Sequence, residues 1–160
     1  MDTPAGGDQP ALLGAAAAAV GRFAQAVPLL SEAGYLFRAQ GRRGRLAAVQ
    51  IELAWAQIHL GQYAGAHENA TEGIRLAEHT AQPLMASAGQ LVVAAVRGVR
   101  GETEAALDMT AGIEIEASAH EAGRLLARAQ AVRGLTLLAA ARPEPALDAL
   151  LRLFDPADAA

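Results

Sequence analysis

Gly61-Gln62-Tyr63-Ala64-Gly65-Ala66-His67 decides the fold, because versions of it recur through the chain. Gly21-Arg22-Phe23-Ala24-Gln25-Ala26-Val27 lies 40 residues earlier, and Gly101-Glu102-Thr103-Glu104-Ala105-Ala106-Leu107 lies 40 residues later. Ala141-Arg142-Pro143-Glu144-Pro145-Ala146-Leu147 follows another 40 beyond. A period of this size marks a helical solenoid, in which each unit leaves an apolar face that only its neighbours can cover. Two further columns keep the register: Gly14, Ala54, Ala94 and Gly134 precede the copies, and Ala26, Ala66, Ala106 and Ala146 fall inside them. All are small. Two helices approach closely only where neither carries a bulky side chain at the crossing, so the unit reads as a helical hairpin.

Composition agrees with helix nearly throughout, since about a quarter of the 160 residues are alanine, the strongest helix former. The length suits one domain with a real core. The absence of cysteine removes disulfides, zinc-thiolate sites and cysteine nucleophiles. All 13 basic residues are arginine, which excludes Schiff-base chemistry and a Walker A lysine. A net charge of -4 argues against direct nucleic-acid binding.

Residues 1–8, acidic and rich in Gly and Pro, read as a disordered leader ahead of a single repeat domain over 9–160. The run Ala11 to Val20 lacks the positive flank of a signal peptide and is too short to span a bilayer, which predicts a cytoplasmic protein with no membrane partner.

The predicted units are about 9–41, 46–80, 83–117 and 119–154. In the first, Phe23, Ala26, Val27, Leu30, Ala33 and Phe37 form an apolar stripe that ends at a Gly41 C-cap. Arg38, Arg42, Arg43 and Arg45 cluster around the connector Gly41-Arg42-Arg43-Gly44-Arg45. They read as cations on a solvated turn, with an anion patch as the sharper alternative. In the second unit, a helix from about Leu46 to Leu60 is apolar on two sides, and its partner pairs Glu72 with Arg75 on the wet face. Pro83 opens the third unit. Ser118-Ala119-His120-Glu121 fits a capping box for a long helix from about Ala119 to Ala140, and Pro143 sits in a first turn. Asp155-Pro156 stops the last helix. Short connectors make neighbouring helices antiparallel. The expected fold is all-α, a right-handed helical-hairpin solenoid of about four hairpins with a 40-residue period.

The search for chemistry finds little. His59, His67, His79 and His120 include no pair four residues apart, and His120-Glu121-Ala122-Gly123-Arg124 lacks the second histidine of a zinc protease motif. Glu114 and Glu116, two apart on a helix, do not share a face. No metal, no cofactor and no catalytic residue is expected. A concave binding face built from the first helices is the remaining candidate, with Ile51, Trp55, Ile58, His59, Leu91, Ala95, Arg128, Leu135 and Leu138 on it. The competing reading packs these residues between successive units. If Trp55 is core, Trp55→Ala costs about 3–5 kcal/mol; if it lines an open groove, the melt barely moves while binding suffers.

The Gly-x-Tyr/Phe-Ala-x-Ala units, the phrase from Arg133 to Leu147 and the ending Leu151-Arg152-Leu153-Phe154-Asp155-Pro156-Ala157-Asp158 are similar to the tetratricopeptide-like region of large LuxR-family bacterial transcriptional regulators. The resemblance covers about Ala11 to Ala159, and its Leu-Phe-Asp-Pro ending is the most specific part. In that family the region lies between an ATP-binding domain and a DNA-binding helix-turn-helix and is thought to sense an effector or partner. The resemblance implies a non-catalytic sensor whose partners are flanking domains of a larger regulator, another protein or a small-molecule effector. This chain carries neither flanking domain, so ATP hydrolysis and promoter binding do not transfer to it. It reads as a segment of such a regulator or as a free-standing adaptor, and a homo-oligomer joined through Leu150, Leu151 and Phe154 is the runner-up. A small-molecule site around Trp55 is a third reading.

Overall fold

The computed structural model describes residues 6–154, and these are all-α. Eight helices follow one another: α1 (Asp8–Ala19), α2 (Phe23–Ala39), α3 (Arg43–His59), α4 (Tyr63–His79), α5 (Pro83–Val99), α6 (Thr103–Ala119), α7 (Gly123–Ala139) and α8 (Pro143–Leu151), the last continued by a short 3-10 turn, Arg152–Phe154. From α2 onward they start at even 20-residue steps. No strand occurs among the described residues. The chain divides within α5 into two compact units, Met1–Val92 and Val93–Ala160. In the first, α1 packs on α2, α2 on α3 and α3 on α4; in the second, α6 packs on α7 and α7 on α8.

The turns explain the even spacing. Each helix from α1 to α7 is followed by one residue in the left-handed region, at Gly21, Gly41, Gly61, Ala81, Gly101, Glu121 and Ala141. The next amide reaches back five residues to a carbonyl of the last turn, as in Arg22 N to Ala17 O at 2.8 Å and Ala122 N to Ala117 O at 2.8 Å. This closure satisfies carbonyls that a helix end leaves open, and glycine takes the required φ without a Cβ clash. At Ala81, Glu121 and Ala141 the chain adopts the same φ, of 53° to 57°, with a side chain present. Holding an L-residue there costs about 1–2 kcal/mol, partly offset by the greater unfolded-state freedom of glycine. The variant Glu121→Gly should therefore raise the unfolding free energy by about 0.5–1 kcal/mol in urea titrations, and Gly61→Ala should lower it.

These turns correct three sequence expectations. The capping box at Ser118-Ala119-His120-Glu121 does not form: α6 runs on to Ala119, His120 caps its C-terminus, and Glu121 takes the left-handed turn position. The helix expected from Ala119 starts only at Gly123. Arg43, Gly44 and Arg45, expected in a connector, form the first turn of α3. Asp8, placed in the leader, is the first residue of α1, while residues 1–5 and the Asp155-Pro156 stop lie outside the described residues.

The columns of small residues are where the packing is tightest. Ala26, Ala66, Ala106 and Ala146 have no exposed surface, nor do Ala54 and Ala94. A Cβ on Gly14 would lie 2.8 Å from Leu30 Cγ, and one on Gly134 would lie 2.5 Å from Leu150 Cγ. The two crossings are equivalent, and both match glycine with leucine. At the corresponding positions in the other hairpins stand Ala54 with Ala70 and Ala94 with Thr110. Where one column loses its Cβ, the other grows. A large side chain in one column is accommodated by the missing Cβ in the other, which keeps the crossing close-packed while individual residues change. The first unit's core gathers Leu30, Phe37, Leu46, Val49, Leu53 and Leu76 with Ala26, Ala33, Ala47 and Ala77.

Candidate functional site

On α1, Asp8, Ala11, Leu12 and Ala15 recur at three- and four-residue spacing and so share a face; on α3, Arg45, Ala48, Val49 and Glu52 do the same. The two faces line one groove of about 530 Å³ whose lining is completed by Leu30 and Phe37 of α2. The groove exists because Ala11, Ala15 and Ala48 are too short to fill the space between the two helices. Leu30, Phe37 and Val49 are buried, so the groove is walled by core residues.

Charges stand at its edge. Arg42 donates from Nη1 to Asp8 Oδ2 at 2.7 Å and from Nη2 to Oδ1 at 3.2 Å. This bond holds the Asp8 carboxyl below its ordinary range against an opposing effect of desolvation, with the charges of Arg42 and Arg45 adding to the lowering. The same guanidinium lies 4.8 Å from the centroid of the Phe37 ring, a cation–π position. Arg38 donates to both oxygens of Glu72, at 2.7 and 2.8 Å, and the buried Gln50 amide donates to Glu72 as well. Burial pushes the Glu72 carboxyl up, but these hydrogen bonds and the nearby Arg38 and Arg75 charges outweigh it and leave it lowered. Glu72 thus ties α2 and α3 to α4, and Arg38 is its ion-pair partner in place of the expected Arg75. Of the four clustered arginines, Arg38 and Arg42 are therefore engaged in ion pairs between helices. In the second unit Arg133 forks onto Glu114, Nε to Oε1 at 2.8 Å and Nη2 to Oε2 at 2.6 Å, and that hydrogen bond raises the arginine's pKa.

The residues of the sequence-predicted face differ in exposure. Ile51 and Leu91 are buried at 1% and 0% exposure and cannot meet a ligand, because α3 and α5 are apolar on more than one side and these residues lie inside. Ile51 packs against Gly73 of α4, where a Cβ would stand 2.6 Å from its Cγ1. Trp55 and Ile58 are partly buried, and His59 is exposed. The His59 ring stacks on Phe23 at a centroid separation of 4.1 Å and meets Trp55 edge-on at 5.3 Å. Trp55 thus belongs to an aromatic trio at the end of α3, half in the packing and half out of it. Ala95 and Arg128 are partly buried, while Leu135 and Leu138 are exposed on α7. None of the predicted residues lines the groove. Its signal in the sequence was the pair of small residues Ala11 and Ala15 on one face of α1, opposite Ala48 of α3.

Among the described residues no group of three His, Asp or Glu side chains is placed to hold a metal ion, and no helix is long and apolar enough to cross a membrane. What the groove offers is an apolar bed with Arg45, Asp8 and Glu52 beside it. No protein-family model matches the chain, and no curated protein matches it either.

Proposed function

We propose that this chain is a non-catalytic binding module, a right-handed, tetratricopeptide-like solenoid that holds an effector or an apolar part of a partner protein in the groove between α1 and α3. The observation that carries the reading is that groove. Its volume of about 530 Å³ lies within the range of about 300–1,000 Å³ common to small-ligand sites, and its lining is mostly apolar with a few charges at the edge. The resemblance to the sensor region of LuxR-type regulators points the same way: binding in the groove biases how the module meets flanking ATP-binding and helix-turn-helix domains. In this reading the protein works in the cytoplasm, uses no cofactor and leaves DNA contact to another domain. A free-standing adaptor is the second reading, favoured by the exposed leucines of α1 and α8.

Two measurements test these statements. Anilinonaphthalene sulfonate, an apolar dye with one anionic group to set beside Arg45, should bind with enhanced fluorescence. Ala48→Phe, which fills the groove from α3, should weaken that binding at least about tenfold with an unchanged far-UV spectrum; an unaltered titration would remove the groove from the proposal. A reading frame that runs upstream into Gly-x-x-x-x-Gly-Lys-Ser/Thr and downstream into a helix-turn-helix supports the regulator reading, and stops close to both ends of the chain overturn it.

A further inference from the structure

The groove between α1 and α3 differs at its two ends. The Arg42–Asp8 pair joins the first residue of α1 to the residue just ahead of α3, so both helices begin at the same end of the groove. Asp8 and Arg45 stand at that end, and Arg45 is close enough for its charge to act on the Asp8 carboxylate. Ala15 and Glu52 stand at the other end, two turns farther along their helices, a distance of about 10 Å. Between the ends every lining side chain is apolar, with Ala11, Leu12 and Ala48 above the buried Leu30, Phe37 and Val49.

At the shared end two guanidinium groups face one carboxylate. Both oxygens of Asp8 accept from Arg42, whose guanidinium also lies over the Phe37 ring, so this pair is already committed. Arg45 is the cation left over: it lines the groove, and no hydrogen bond or ion pair to it occurs among the described residues. The N-terminal ends of α1 and α3 add their partial positive charge at the same place. An anionic group is therefore favoured here. In the apolar middle a polar group would lose its water without gaining a hydrogen bond from any lining side chain, which costs binding free energy.

We infer that the groove takes a small apolar monocarboxylic acid, its carboxylate on the Arg45 guanidinium and its hydrocarbon body lying along Ala11, Ala15 and Ala48 toward Glu52. The planar fork of arginine matches a carboxylate with two parallel hydrogen bonds. A molecule turned end for end would bring its carboxylate beside that of Glu52, so one orientation is selected. The span of about 10 Å between the charged ends suits a medium-chain or single-ring acid and leaves no room for a long-chain lipid. The inference rests on the groove being a binding site and adds the chemical class of what it binds.

Titration calorimetry of the full chain with octanoate, octanol and octylamine compares one hydrocarbon body under three head groups. Octanoate should bind at least about tenfold more tightly than octanol, and octylamine more weakly than either. Arg45 is exposed, so Arg45→Gln should keep the circular dichroism of the parent; it should remove the advantage of octanoate and leave octanol unchanged. Ala48→Phe should weaken both. Octanol that binds as tightly as octanoate, or an advantage of octanoate that survives Arg45→Gln, overturns the inference. Octanoate that fails to bind a parent chain that takes up anilinonaphthalene sulfonate in the groove overturns it too, and in each of these cases the groove reading stands. Octanol and the dye binding to Ala48→Phe as well as to the parent would instead overturn the groove reading, and the inference with it.

Discussion

Replacing Phe37 by alanine should lower the unfolding free energy by about 3–5 kcal/mol, the usual loss for a large aromatic removed from a core. The ring is 1% exposed and holds several parts of the first unit at once. It stands where a Cβ on Gly7 would come within 2.6 Å of it, so the approach to α1 is moulded to its edge. It carries the Arg42 guanidinium on its face and helps to line the groove between α1 and α3. Alanine would leave a void continuous with that groove. Urea unfolding followed by the fluorescence of Trp55, which lies in the same unit, measures the effect directly. A loss below about 1 kcal/mol would show that α1 and the start of α3 collapse into the space, and that the groove is plastic.

The second large effect is expected at the crossing of α1 and α2. Leu30 is 1% exposed, and Leu30→Ala should cost about 2–5 kcal/mol. Gly14→Ala alone should also destabilise, because its Cβ would meet Leu30 Cγ at 2.8 Å and the Leu30 backbone nitrogen at 3.2 Å. Overpacking of about 1–3 kcal/mol opposes the gain of about 1 kcal/mol that alanine brings to a helix. The double variant creates an alanine pair like Ala54 with Ala70, which the second hairpin already uses. It should therefore be more stable than the sum of the two single changes by at least about 1 kcal/mol, a coupling that a double-mutant cycle reads. Strict additivity would mean that the two columns do not compensate each other.

Much of the fold was legible because its causes are local or repeated. A glycine at a fixed place in three of the four copies, with Ala141 in the fourth, marked a turn that needs a left-handed residue, and the alanine columns marked where backbones approach. Gly41, read as the cap that ends the first unit's second helix, does take the left-handed turn position after α2. The misreadings arose where two local rules competed. Ser118 to Glu121 satisfied the pattern of an N-terminal cap, yet the chain needed a turn residue at position 121 to keep the helices in step, and the glutamate was forced into it. Arg42 to Arg45 looked like a polar connector, but an arginine-rich first turn is tolerated once Arg42 has found Asp8 on α1.

The candidate site was the least legible part. Ile51, Leu91 and Trp55 share the composition of a ligand-binding face and of a core, and periodicity reports only that a helix side is apolar. Whether solvent or another helix covers that side depends on residues far along the chain. Glu72 illustrates the same limit: Arg75 is its neighbour in sequence, while Arg38, 34 residues away, is its partner in space.

By itself, then, the sequence determined the helical state and the turns, because φ preferences and side-chain volume act within one or two helical turns. Tertiary structure alone decided which apolar residues are closed in, where the groove opens and which arginines are paired. Those outcomes depend on the distance between helices that are not consecutive, and that distance is fixed by the summed bulk of side chains on several helices at once.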